Sequence, residues 1–391
     1  MSTIDLILGP QHPAFKEPER FLFKTEGEIV VDVEPRLGYV HRGIEKAFEM
    51  RNYIQGLYLA ERICGICNVA HTLCYAQAAE EVYGVEVPPR ARYLRAVIHE
   101  LNRIHSHLLI IGVAAELIGF DTLFMLIWRD REIVMDLVEM MTGNRVISAY
   151  ITIGGVRRDV SPEFIEKAKK MLTKLEERVK YYRKVWIEDP IIRARCVEVG
   201  KLSKADAIKL CAVGPTARGS GVNYDVRRHR PYAAYDEIPF NVVLREEGDV
   251  WARVLCRIDE TLEAINIVKY ALDHLPSGDI RVKVPIRPPP GEGVAFVEAP
   301  RGELLHHVYS DGTDKPYRWR VRTPTYANIP AVCHMFKGCY IADIPAILVS
   351  IDPCFSCTDR VTILDIRTNE RKILTWTQLK KMFREFRRPK A

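Results

Sequence analysis

The sequence has no internal repeat, no low-complexity segment and no long apolar run free of charge. Its longest hydrophobic stretch, Leu108 to Trp128, is 21 residues and long enough to cross a bilayer. Glu116 and Asp121 sit inside it, however, and each is costly in hydrocarbon, so a buried core helix is expected instead. The first ten residues lack a basic start and run straight into Gly9-Pro10, so no signal peptide is expected. Ten cysteines without an export signal point to a reducing compartment, where cysteine binds metal or packs rather than forming disulfides. A basic face is missing as well. The net charge is +6, and residues 361–391 alone hold nine Lys or Arg against three acidic residues, leaving 48 of each sign in the rest of the chain. A body that balances, with no basic cluster, excludes nucleic acid as a partner.

What is present is an ordinary globular composition, 48% hydrophobic and 28% charged, in 391 residues that suffice for one large domain or for two or three. Two Cys-x-x-Cys pairs, Cys64/Cys67 and Cys354/Cys357, lie almost the whole chain apart. Thiolates are soft, charged ligands, and four on converging elements make a site for a soft transition metal. Spacing alone leaves a structural zinc, a four-cysteine iron–sulfur cluster and a multi-metal thiolate site open. A redox dithiol would want a βαβ context, which this chain lacks.

Local patterns place these pairs. Residues 20–34 read as a hairpin about Glu26-Gly27, preceded by a loop at Gly9-Pro10-Gln11-His12-Pro13. Residues 43–60 read as helix. If helix continues through 64–74, Cys64, Cys67, His71 and Cys74 share one face. The runs 92–128 and 131–149 are expected to pack against it as helices. Ser161-Pro162-Glu163 is a helix start, the hydroxyl as N-cap, with the helix running to about Trp186. Turns are expected at Gly214-Pro215 and Gly219-Ser220-Gly221, a helix over 248–275, and a rigid loop over 287–293. The tail reads as strand, turn, strand and an amphipathic helix at about 377–387.

The residues flanking the cysteines narrow the choice. Arg62-x-Cys-Gly-x-Cys-x-x-x-His71 and Asp352-Pro-Cys-x-x-Cys357, with Arg42-Gly43-x-Glu45 and Ala299-Pro300-Arg301-Gly302 upstream of each, resemble the large, catalytic subunit of nickel–iron hydrogenases. Within that family the chain is similar to the energy-converting, membrane-associated branch (group 4), itself related to the 49-kDa quinone-site subunit of respiratory complex I. The shared stretches are Gly9 to Pro13, Gly38-Tyr39-Val40-His41-Arg42-Gly43 and Asp225-Val226-Arg227-Arg228 through Pro231-Tyr232. The complex I relative lacks the four cysteines.

The resemblance implies an α+β fold, a central helical bundle with an N-terminal hairpin or sheet and a mixed C-terminal region. It implies a nickel–iron centre with carbon monoxide and cyanide on the iron. Cys64 and Cys354 would be terminal ligands to nickel, Cys67 and Cys357 bridges to iron, and Cys354 the sulfur that accepts a proton. Glu17 would relay that proton, a carboxylate beside metal-bound sulfur being suited to it. Arg301 would polarise substrate over the open coordination position. His71 would hydrogen-bond sulfur, Thr325 would donate to a cyanide, and Glu45 would bind Mg2+.

Cys74, Cys196, Cys211, Cys256, Cys333 and Cys339 are expected to pack. His105 and His107 point to different helix faces and make a poor ligand pair. Residues 1–360 would form the catalytic domain, with 361–391 a basic extension removed by a maturation protease after Arg360. Electrons would leave through a small subunit carrying a 4Fe–4S cluster, docked near His12, and membrane subunits would move ions, with this chain peripheral on the cytoplasmic face. The competing readings are a complex I-like coupling subunit without hydrogenase activity, and a structural zinc protein.

Overall fold

The computed structural model describes residues 3–13 and 15–358, the backbone of 363–364 and 371–372, and residues 378, 381 and 382. Strands Ile4–Leu8, Arg20–Glu26 and Ile29–Arg36 form an antiparallel sheet, and Glu26 pairs with Ile29 around the expected turn at Gly27. Alternation along the second strand sends Phe21 and Phe23 inward, where both meet Phe336 and Phe21 also meets Phe355. The sheet is thereby anchored to the second cysteine segment.

The centre is a bundle of five long helices, Asn68–Tyr83, Pro89–Leu117, Asp121–Thr142, Pro162–Glu188 and Val250–Asp273. The apolar run 92–128 is two helices rather than one, because Gly119 takes a left-handed conformation (φ 89°) and turns the chain between them. Glu116 and Asp121 fall at the ends so created, where water reaches them. Among the described residues no helix is long and apolar enough to cross a membrane.

Residues 43–60 also divide, into Ile44–Phe48 and Tyr53–Glu61. Asn52 interrupts them, its side chain accepting from Gln55 N and Gln55 answering in a reciprocal cap. The Ser161 start holds, its hydroxyl accepting from Phe164 N. Asp249 likewise caps the helix expected over 248–275.

The stretch 287–293 is loop only to its middle. Strand begins at Pro290 and runs to Ala299, pairing with Gly302–Asp311, which pairs in turn with Arg318–Arg322. This sheet lies on the Asn68–Tyr83 helix, whose Cys74 thiol donates to Ala295 O. Helices Pro324–Phe336 and Ile344–Ser350 then lead into Asp352. In the tail, Ile363–Leu364 pairs antiparallel with Arg371–Lys372, in keeping with the strand–turn–strand reading. Most of the expected helix over 377–387, and Arg360 itself, lie outside the described residues. The α+β expectation is borne out: a helical bundle with small antiparallel sheets.

Candidate metal centre

Each cysteine pair is presented by a break in helix. The Tyr53–Glu61 helix ends at Arg62, the chain turns, and Cys67 caps the next helix, with His71 N donating to Cys67 O. Cys64 therefore lies in the turn and not on the helical face expected from its spacing. It curls back so that Cys67 N donates to Cys64 Sγ at 3.4 Å. On the other side Asp352 is left-handed (φ 56°), Pro353 follows, and one turn of 3-10 helix carries Phe355–Cys357.

A non-glycine residue in that conformation must be held. Arg301 does this, donating from Nε to Asp352 O at 2.8 Å and pairing Nη2 with Asp352 Oδ1 at 2.8 Å. Arg301 is positioned in turn by a glycine contact. A Cβ on Gly214 would fall 2.4 Å from Gly302 Cα and 2.5 Å from Arg301 O, so only glycine lets the two loops touch.

The sulfurs meet. Cys354 Sγ lies 3.2 Å from Cys64 Sγ and 2.7 Å from Cys357 Sγ. Cys64, Cys354 and Cys357 form one group, and Cys67, His71 and Cys357 another, with ligand atoms all within 4.8 Å of one another. None of these cysteines is in a disulfide, which would need a separation of about 2.05 Å. Four sulfurs around one ion at ~2.3 Å lie about 3.8 Å apart, so the pairs at 2.7 Å and 3.2 Å sit closer than ligands do around an ion and would spread to admit one.

All four are at most 5% exposed. Burial pushes the Cys354 and Cys357 thiols well up, and hydrogen bonds from those two thiols bring Cys64 well down. Without a cation, the pocket keeps most of its protons. A soft dication would displace them, which is how such a donor set takes metal. Arg301, 3% exposed, stays charged: burial opposes its charge, and Asp352 with the nearby sulfurs more than offsets that.

The other expected residues converge here to different degrees. Glu17 Oε1 is 3.9 Å from Cys354 Sγ, and Ser356 stands between them. Its hydroxyl is 2.5 Å from Glu17 Oε1 and 3.2 Å from Cys354 Sγ, and its backbone N–H donates to Glu17 Oε2 at 2.8 Å. Glu17 reaches this point because its loop is closed at Gly9, where a Cβ would sit 1.8 Å from Glu19 O. His71 Nε2 is 3.8 Å from Cys357 Sγ. Thr325 Oγ1 accepts from Cys354 N at 3.1 Å, which leaves its own proton to donate.

Glu45 stands apart from the sulfurs' ligand groups. It accepts from Val321 N and pairs with Arg320, both at 3.0 Å. The described residues thus offer Mg2+ one carboxylate already matched to a cation.

Five of the six cysteines expected to pack are buried or partly so. Cys211 is exposed, lying just past a short helix with φ 53°. His105 and His107 do diverge, His105 towards Ile66 O and His107 onto Glu260.

Three contributors lay within quoted motifs without a role. Arg42 donates to Arg62 O and Ile63 O at 2.7 Å and to Ser356 O at 2.9 Å, clamping both cysteine segments with one planar fork. Ser356 and Asp352 are the other two. Thr323, outside any motif, donates to Cys357 O at 2.9 Å. A cavity of about 290 Å³ opens beside the sulfurs, with Glu17, Arg301 and Cys354 at one end and Leu109, Val113 and Phe124 along its wall.

Residues 118–287 and 281–360 match the family described as respiratory-chain NADH dehydrogenase, 49 Kd subunit. Residues 42–111 match that of nickel-dependent hydrogenases. The chain is 40% identical to the membrane-bound hydrogenase subunit alpha of Pyrococcus furiosus, over 97% of this chain and 92% of that one. It is 36% identical to an NADH-quinone oxidoreductase subunit of Rhizobium etli, over 91% and 95% respectively. A chain in the solved structure of the membrane-bound sulfane sulfur reductase, an archaeal respiratory membrane complex, superposes with a TM-score of 0.87 at 34% identity, covering 92% of this chain and 98% of that one.

Proposed function

This chain belongs to the oxidoreductase family that joins the large subunits of nickel-dependent hydrogenases to the 49-kDa subunit of respiratory-chain NADH dehydrogenase, and from that premise we propose that it is the catalytic subunit of a membrane-associated nickel–iron hydrogenase. The reaction is reversible proton reduction and dihydrogen oxidation. The observation that carries the reading is the convergence of four buried cysteine sulfurs beside an arginine, a carboxylate and an apolar cavity. Thiolates of this number and closeness fit nickel and iron, with Cys64 and Cys354 as terminal ligands and Cys67 and Cys357 as bridges. When bound between these sulfurs, a nickel–iron pair with carbon monoxide and cyanide on iron would supply the splitting of dihydrogen into two protons and two electrons.

The chain's own residues handle the proton and the space around it. Cys354 holds the proton. Ser356 Oγ and Glu17 then take it outward through contacts of 3.2 Å and 2.5 Å, Glu17 being half-buried and so facing both sulfur and solvent. Arg301 presents a fixed cation at the cavity end, where charge develops during turnover. Thr325 is available as a donor to a cyanide, and the apolar wall keeps water from the sulfurs.

Electrons leave through a small subunit with a 4Fe–4S cluster, docked at the loop around His12, membrane subunits move ions, and this chain is peripheral on the cytoplasmic face. The basic extension 361–391 is cut after Arg360 by a maturation protease. An intact mass ending at Ala391 in metal-loaded protein would overturn that part.

The second reading, a complex I-like coupling subunit, draws on the extent of the 49 Kd match and on a cavity larger than dihydrogen requires. Elemental analysis with an infrared scan for carbonyl and cyanide bands decides between them. Nickel and iron with those bands support the hydrogenase. Zinc or no metal, with no bands, leaves the coupling subunit.

A further inference from the structure

We propose that His306 is a positioning residue which, together with Trp319, fixes the ring proton of His71 on Nε2 and so aims a one-way hydrogen bond at the sulfur of Cys357. An indole N–H donates and never accepts. Trp319 Nε1 lies 3.2 Å from His306 Nδ1, so Nδ1 is the acceptor and carries no proton. Burial lowers the His306 pKa well below the ordinary histidine value, so the ring is neutral and its single proton is on Nε2.

That nitrogen is 3.1 Å from His71 Nδ1, which must therefore accept. With Nδ1 accepting, the one ring proton of His71 is left on Nε2, facing Cys357 Sγ at 3.8 Å. Polarity set at the indole thus runs through two imidazoles and ends on the metal-facing sulfur. Trp319, His306 and His71 are each 0% exposed, so water does not compete for these contacts. The reverse arrangement would set two N–H donors against each other at the indole, leaving a buried donor unpaired.

Sequence holds the chain of rings in place. His306 lies in the Gly302–Asp311 strand and pairs across the sheet with Val321, two residues from Trp319, while His71 sits one turn into the helix capped by Cys67. Phe48 and Tyr75 pack against the Trp319 ring, 4.1 Å and 5.8 Å between centroids, and fix its plane. A hydrogen bond to a bridging sulfur withdraws electron density from both metals, so orientation two residues away sets how electron-rich the centre is. That consequence rests on the hydrogenase reading. The orientation itself does not.

The test is solid-state NMR of the purified complex labelled with 15N-histidine, metal-loaded and metal-free, on the parent, Trp319→Phe, His306→Leu and His306→Gln. The parent should show His71 protonated on Nε2 in both states. His306→Leu and Trp319→Phe should give a mixture of tautomers. His306→Gln, whose amide nitrogen can only donate to His71 Nδ1, should restore the single form. In the loaded parent and variants, infrared bands of the iron-bound diatomics should move to lower frequency wherever the single tautomer is lost, and return with Gln. His71 protonated on Nδ1 in the parent, or a folded His306→Leu protein with His71 unchanged, overturns the proposal. Absence of nickel and of diatomic bands would sink the hydrogenase reading alone, because the tautomer is read in metal-free protein as well.

Discussion

Two buried polar clusters share the helical bundle, and they are built on opposite terms. In one, Arg103, Arg218 and Arg227 meet Glu100, Asp225, Glu260 and Glu298. Arg218 is 2.7 Å from both Glu260 and Glu298, Arg227 is 2.7 Å from Asp225, and Arg103 is 2.9 Å from Glu100. Burial works to raise Glu100, yet Arg103 and Arg227 bring it down to about 2, so the charges satisfy one another inside the protein. Glu298 is the surplus acid, pushed up to about 7 by burial.

The other cluster is the sulfur pocket, where four thiols and Asp352 outnumber the guanidiniums beside them, Arg301 on Asp352 and Arg42 on the backbone of both cysteine segments, and burial keeps Cys354 and Cys357 protonated. The first is closed and structural. The second is left incomplete, and an incomplete buried donor set is what a metal completes.

The comparison breaks most sharply if each cluster is damaged separately. Cys357→Ser replaces the sulfur that belongs to both ligand groups. It is expected to abolish bound metal and all hydrogen-linked activity, read by elemental analysis and dihydrogen evolution, while circular dichroism stays that of the parent. Glu260→Gln removes the partner of Arg218 and His107. Arg218 keeps Glu298 as a partner, so the loss is one charged hydrogen-bonded pair, roughly 1.5–3 kcal/mol, and denaturant unfolding should shift by that much, with metal per folded molecule unchanged. If Cys357→Ser unfolds the chain, or Glu260→Gln empties the pocket of a still-folded protein, the division between the clusters fails.

Glu17→Gln sharpens the open side. The amide still accepts from Ser356 N but no longer takes up a proton, so metal content and infrared bands should match the parent. Turnover should fall about 10²- to 10⁴-fold, the range for a lost proton-transfer group. A Gln variant with full turnover would move the proton route elsewhere.

Much of this division was legible in the sequence, for identifiable reasons. Cysteine spacing and flanks mark the ligands because a thiolate site requires those atoms, and Ser161 and the Gly27 turn mark local structure because caps and turns are short-range chemistry. The Gly119 break was hidden by apolar residues on either side, and the Asn52 cap by a helical pattern that continues past it. Arg42, Ser356 and Thr323 were beyond reach as contributors: each acts on a backbone or carboxylate brought near by the fold, Arg42 and Ser356 being 314 residues apart. The closed cluster escaped for the same reason. Glu100, Arg218 and Glu298 carry no local signal, because only the packed helices and sheet bring them together.

Glu19 tests the rule at its weakest point, since it is buried and belongs to neither cluster. It is 0% exposed, Oε1 accepts from Arg20 N at 3.2 Å, and Oε2 has no partner. With no arginine and no metal to complete it, burial pushes its pKa up from 4.5 to about 7. An acid whose native pKa is raised binds more protons folded than unfolded between those two values. Stability is therefore fullest below about 4.5, declines as pH rises, and levels off above about 7. Glu19→Gln keeps the shape and removes the titration. At pH 4 the variant and parent should melt together, and at pH 8 the variant should be more stable by on the order of 2 kcal/mol. Thermal unfolding across that range checks it: parallel curves would mean that Glu19 finds a partner after all, and that incompleteness in this bundle is confined to the sulfurs.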